Sequence, residues 1–254
     1  MTSVSRVDQI LLCIGFLTRI RVRLPAELPE DALSRAAWAF PLAGATVGLL
    51  AAFAMLVSIR LGIPVAAAAI VALGTSILVT GALHEDGLAD TADGLGGGND
   101  QAAKLAIMRD SRIGSYGVLA LLVCFGLKAV ALATLAGHGA GASFWALIAC
   151  HGGARAGVPL LMSRLPLARS NGAAASFGRP DGDEAVASLV IGVILLFGCL
   201  GLGRGLLGIA GAALGMFVIG HLARRQIGGY TGDILGAAEQ LAETAILLAA
   251  ADYY

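Results

Sequence analysis

The sequence predicts an all-α protein: a polytopic membrane bundle of six to seven transmembrane helices joined by short cytoplasmic loops. Three observations lead there. Of 254 residues, 57% are hydrophobic and 13% charged, where a soluble domain carries about a quarter charged; the mean hydropathy is +0.84. Apolar runs close to the ~20 residues that a spanning helix needs recur along the chain. The basic residues between those runs alternate in density. So few charges leave the apolar sequence without a polar surface to cover it, which excludes a soluble globule, a disordered chain and a nucleic-acid binder. The net charge of zero points to no acidic partner.

Residues 1–39 are expected to form an interfacial segment. Arg6 and Asp8 precede an apolar stretch at 10–17, which Arg19, Arg21 and Arg23 close without a small-residue cleavage site. That stretch is no cleavable signal and is too short to span. Residues 40–254 then form one integral membrane domain, with spans at 40–59, 64–83, 116–136, 143–162, 185–202 and 206–222. A shorter run at 237–251 either spans or re-enters. Pro41 and Pro64 fall at helix starts, where a missing N–H costs nothing. The many glycines and alanines let membrane helices approach closely. Cys13, Cys124, Cys150 and Cys199 stand singly in apolar runs, with no metal or disulfide spacing.

Charge placement tests these spans. The N-terminal segment carries Arg6, Arg19, Arg21, Arg23 and Arg35, and the third gap Lys104, Arg109 and Arg112. The fifth gap carries Arg164, Arg169 and Arg179, and the seventh Arg224 and Arg225. The intervening gaps hold only Arg60 and Arg204, so alternate gaps carry thirteen against two. The positive-inside rule puts the richer set in the cytoplasm.

The acids mark the site. The second span runs into His84-Glu85-Asp86-Gly87-Leu88-Ala89-Asp90-Thr91-Ala92-Asp93-Gly94, the head of a loop at 84–115 that is expected to be catalytic. On a continuous helix, Asp86, Asp90 and Asp93 stand at i, i+4 and i+7 and fall within an arc of ~60°. Glu85 flanks that face and His84 points nearly opposite. Carboxylates so stacked repel one another unless a cation neutralises them, and hard oxygen donors suit Mg²⁺, Mn²⁺ or Ca²⁺ rather than zinc. The competing readings are a solvated helix end and a structural ion. Downstream, Arg109-Asp110-Ser111-Arg112 suits phosphate recognition, although basic residues beside a span also serve as topology anchors. His151 and Arg155 lie i, i+4 in the fourth span, where an arginine either takes part in a site or snorkels. Lys128 sits mid-span in the third and is expected to face the bundle interior. Gly228-Gly229-Tyr230-Thr231-Gly232-Asp233 forms a glycine-rich turn able to approach phosphate, with Asp233 as a further ligand or base. Glu239 and Glu243 follow inside the last apolar run. Acids, arginines and a glycine turn on one membrane face fit phosphoryl or nucleotidyl transfer. A transporter or channel would place its ion near the midplane between repeats; no repeat is evident here.

The run from His84 to Gly94, with Met108-Arg109-Asp110-Ser111-Arg112-Ile113-Gly114-Ser115-Tyr116-Gly117, resembles the cobalamin synthase family, the adenosylcobinamide-GDP ribazoletransferases. Phe16-Leu17-Thr18-Arg19, Phe40-Pro41-Leu42 with Gly44, and Gly228 to Asp233 with Gly236-Ala237 extend the resemblance over most of the chain. It implies a multi-pass enzyme of the bacterial inner membrane whose active site faces the cytoplasm. Adenosylcobinamide-GDP would be joined to α-ribazole or its 5′-phosphate, GMP released, and adenosylcobalamin or its phosphate formed. It implies Mg²⁺, with Mn²⁺ as substitute, held by Asp86, Asp90, Asp93 and Glu85. Arg109, Ser111, Arg112, Arg155, Thr231 and Asp233 would bind substrate phosphate, and one of Glu85, Asp110 and Asp233 would take the attacking hydroxyl's proton. Asp90-Thr91-Ala92-Asp93-Gly94 also fits the D-x-x-D-G opening of the CDP-alcohol phosphotransferases. The Ala-Arg that follows there and the later G-x-x-x-D-x-x-x-D are absent, which argues against a phospholipid synthase. The oligomeric state is left open.

Overall fold

The computed structural model describes residues 4–25 and 27–251, and among them no strand forms. Helix α1 (Arg6–Leu17) is capped by Ser5, whose Oγ accepts the Asp8 N–H at 3.1 Å, and it buries Leu12, Cys13 and Leu17. Helix α2 (Ala32–Ala36) and a single 3₁₀ turn (Ala37–Ala39) lead into α3 (Phe40–Arg60). Then come α4 (Val65–Thr80), α5 (Leu83–Gly97), α6 (Gln101–Ile107), α7 (Ser115–Gly137), α8 (Ala140–Ala156), α9 (Val158–Arg164), α10 (Ala173–Phe177), α11 (Gly182–Ile227) and α12 (Gly232–Ala251).

Four stretches are long and apolar enough to cross a bilayer alone: α2 through α3, α7, α11 and α12; α4 and α5 pass only as a pair, bent by 91°. The chain is therefore a multi-pass helical membrane protein. Its 46-residue α11 is not straight. Gly201 adopts φ 76°, ψ 176°, a conformation essentially confined to glycine, and the chain doubles back there. A Cβ on Gly205 would lie 2.5 Å from the Phe197 ring, far closer than eight residues of straight helix allow at 1.5 Å each. The two arms match the separate spans expected at 185–202 and 206–222. The span expected at 143–162 is divided between α8 and α9.

Helix α12 is the axis of the bundle. Of its apolar window 72% is buried, against 22–44% for the other three spans, because α5, α7, α8 and α11 all pack on it. It runs the full depth: Thr231 caps its start, where the Ile234 N–H donates to Thr231 Oγ1 at 3.3 Å. Ala250 lies at the far end with His138, Trp145, Leu200 and Arg204.

The four segments rich in arginine and lysine meet at one end. The Arg19 N–H donates to Val79 O at 2.7 Å, and Pro166–Ala168 pairs with Tyr230 through two backbone bonds of 2.9 Å. Gln101 Nε2 donates to Ile227 O at 2.9 Å. The loops at 61–64, 137–139 and 201–204 fall at the opposite end. Helix α5 belongs to the basic end: Gly81 and Ala82 both take left-handed backbone angles (φ 69° and 61°), and this turn swings α5 off the α4 axis by 91°.

Candidate active site

The acidic motif is helical throughout, as its spacing requires, but its carboxylates face different partners. Asp93 is 9% exposed and accepts the Gly114 N–H at 2.7 Å and the Gly117 N–H at 2.9 Å. Those amides open α7, so Asp93 ties α5 to the start of the next span. Glu85 turns to α12 and accepts from Gln240 Nε2 at 3.2 Å. Asp86 and Asp90 remain on the face presented to Asp233, at the start of α12. The two helices touch there: a Cβ on Gly87 would come 2.9 Å from Asp233 O, and one on Gly236 3.2 Å from Gly87 Cα. Burial first, then the charges of Asp86, Asp233 and Asp93, push the Asp90 carboxyl up to about 7. Desolvation is the larger part of that shift, and the neighbouring carboxylates add to it.

One cation does reach the group. Arg169 Nη2 donates to Asp233 Oδ2 at 3.2 Å, and the Thr231 hydroxyl donates to the same oxygen at 3.0 Å. Asp86, Asp233 and Arg169 line a cavity of about 140 Å³, together with His84 and Arg155 and an apolar wall. The loop at 108–114 is more open. Arg112 and Asp110 pair at 2.7 Å, and those bonds hold the Asp110 carboxyl down at about 2. Arg109 Nη2 donates to Asn171 Oδ1 at 3.4 Å, and Ser111 is exposed.

Beneath the cavity lies a buried ionic network whose members stand out in the sequence as charges inside apolar runs, but whose pairing does not. Lys128 Nζ donates to Gln240 Oε1 at 2.7 Å and Glu243 Oε1 at 2.9 Å. His151 Nδ1 meets Glu243 Oε2 at 2.7 Å, and Arg155 Nη1 meets Glu239 Oε1 at 2.5 Å. Arg155 Nη2 reaches His84 Nδ1 at 3.2 Å. None of the five ionic partners is more than 4% exposed, so Arg155 does not snorkel.

A divalent ion fits the upper acids better than this network. Among the described residues, only His151, Glu239 and Glu243 bring three donor atoms within 4.8 Å of one another. Lys128 and Arg155 already supply the positive charge there. Mg²⁺ is ordinarily held by one or two carboxylates, with waters and substrate phosphates completing its shell. Asp86 and Asp90, one turn apart and short of cation, offer that donor set.

Sequence reasoning missed Arg169, which it counted as a topology charge, and the wall residue Phe177. Each reaches the site through tertiary pairing of the 165–181 segment, which leaves no periodic signal.

A family model described as cobalamin-5-phosphate synthase matches residues 9–251. The chain is 47% identical to the adenosylcobinamide-GDP ribazoletransferase of Bradyrhizobium diazoefficiens, over 97% of this chain and 94% of that one. It is 44% identical to the protein of that name in Azorhizobium caulinodans (96% of each) and 40% identical to that in Brucella anthropi (96% of each). No solved structure matches.

Proposed function

This chain belongs to the cobalamin-5-phosphate synthase family, and from that premise we propose where and how it carries out the family reaction. As an adenosylcobinamide-GDP ribazoletransferase, it joins adenosylcobinamide-GDP to α-ribazole or its 5′-phosphate and releases GMP. One observation carries the placement: Asp86, Asp90, Asp233 and Arg169 converge where α5 crosses the start of α12, at the basic end of the bundle. That end faces the cytoplasm of a bacterial inner membrane, by the excess of arginine and lysine on it.

Asp86 and Asp90 would hold a divalent ion, Mg²⁺ or in its place Mn²⁺, which would supply positive charge against the diphosphate and the departing GMP. Arg169, fixed by Asp233, and Arg155, fixed by Glu239, present guanidinium groups to the same cavity and bind anionic oxygens there. Arg109 and Arg112 stand on the open loop for the outer phosphates, with Ser111 beside them. The ribazole hydroxyl attacks the phosphorus bonded to cobinamide; the new O–P bond forms as the P–O bond to GMP breaks. Of the acids within reach, Glu85 is turned to Gln240 and Asp110 is held at about 2 by Arg112. Of Glu85, Asp110 and Asp233, only Asp233 lines the cavity, and it is assigned the hydroxyl proton. Asp93 acts at one remove, by holding α7 and the loop before it in place.

Purified protein in detergent, given adenosylcobinamide-GDP, α-ribazole and Mg²⁺, is expected to release GMP and form the joined corrinoid. Asp86→Asn and Asp90→Asn should lose turnover, by about 10²-fold or more, while inserting normally. Full activity in both variants would refute the ion's placement.

A further inference from the structure

The chemistry above uses the charged residues of the cavity and gives its apolar lining no task. Part of that lining is aromatic. Phe16 lies in the last turn of α1, Phe40 begins α3 and Phe177 ends α10, so three segments distant in sequence bring their rings together. The Phe177 ring stands between the others. Its centroid is 4.9 Å from Phe16, tilted by 54°, and 5.2 Å from Phe40, near edge-on at 76°. Leu17, Val158, Met162 and Leu235 add aliphatic carbon to the lining. One small chamber is thus lined both by clustered rings with aliphatic carbon and by Asp86, Asp233, Arg169, His84 and Arg155.

Size and polarity select what it takes. An apolar cavity of about 150 Å³ holds one benzene ring, whereas drug-sized ligands occupy about 300–1,000 Å³. The chamber's 140 Å³ is therefore on the scale of one ring system rather than of a corrin macrocycle or an entire nucleotide. Guanine carries an amide edge whose donors and acceptors would be stranded against carbon. Ribazole carries a dimethylbenzimidazole, whose outer edge is carbon alone. Resting on the reaction proposed above, we propose that Phe16, Phe40 and Phe177 form the subsite for the heteroaromatic base of the acceptor nucleoside. Seated there, the base directs its ribose toward Asp86 and Asp233. The interfacial helix α1 is thereby part of the substrate site.

The test separates this subsite from the reaction it serves. α-Ribazole alone is titrated calorimetrically into the full-length protein in detergent, without the GDP-bearing substrate, and rates are then measured with each substrate varied. Phe16→Leu and Phe177→Leu keep apolar bulk and remove the ring. Each is expected to weaken α-ribazole binding, and to raise its KM, by about tenfold, with the KM for adenosylcobinamide-GDP changed by less than about twofold. On the unaltered protein, which needs no variant to fold, the riboside of unmethylated benzimidazole should bind about tenfold more weakly than α-ribazole. Adenosine, with its polar edge, should bind more weakly still. Equal binding of adenosine and α-ribazole overturns the subsite, as does a ring deletion that acts on the KM for adenosylcobinamide-GDP instead. Ring-dependent binding of α-ribazole without GMP release in the complete assay would uphold the subsite and sink the reaction.

Discussion

Asp90 and Asp93 stand three residues apart on one helix and are expected to fail differently when changed. Asp93 accepts two backbone N–H groups at the head of α7, and hydrogen bonds to a charged acceptor are worth about 1.5–3 kcal/mol each. Asp93→Ala should lower the thermal midpoint in detergent and cost turnover together, through the loosened loop at 108–114. Asp90→Asn should cost turnover and leave the midpoint unchanged or raised, because it removes one of the crowded charges. Thermal unfolding and GMP release measured on both variants distinguish the two roles. The i, i+4, i+7 spacing placed these acids on one arc, and that much was readable. Which of them faces substrate was not, since the partners of Asp93 lie 21 and 24 residues downstream. Arg169 escaped for the same reason: its acid partner lies 64 residues away.

Helices α5, α7, α8 and α12 are joined by the network around Lys128, Arg155, Glu239 and Glu243. Removing one member of a buried pair costs about 3–5 kcal/mol, whereas replacing both with apolar residues is often neutral. Glu243→Gln should therefore destabilise the protein by about that amount, and Lys128→Met combined with Glu243→Met should recover much of it, as read by denaturation in detergent. Apolar run length found the membrane helices but counted six to seven spans where, among the described residues, four helices, or five with the bent pair α4 and α5, pass as such; it put Lys128 toward the bundle interior and named no partner for it. Partners on other helices have no fixed sequence offset. The fold-back within α11 was readable as two apolar runs, and its cause, Gly201, supports a further expectation. Gly201→Ala forces a side chain into a region reserved for glycine and should cost about 1–3 kcal/mol, measured in the same way.

Across the whole molecule, charge placement proved the most legible property. The four segments rich in basic residues do gather at one end, so tags in the loops holding Lys104 and Arg179 should report the same compartment in an accessibility assay. The pH response follows from Asp90. Its folded carboxyl titrates at about 7, against an ordinary value of 3.8, so the native state holds that proton more tightly than the unfolded chain. Ion-free protein should lose stability as pH rises from about 4 to 7, and added Mg²⁺ should restore it at the upper end. Melting curves across that range with and without Mg²⁺ check the sign; stability that rises with pH in the ion-free protein would contradict it. The buried network also has a consequence in time. Synthesis delivers Lys128 on α7 and Arg155 on α8 to the bilayer long before Glu239 and Glu243 arrive on α12. Until the last helix is threaded into the centre of the bundle, two cations lie in hydrocarbon without their carboxylates. Both cations therefore gain their carboxylates only once α12 has joined the bundle.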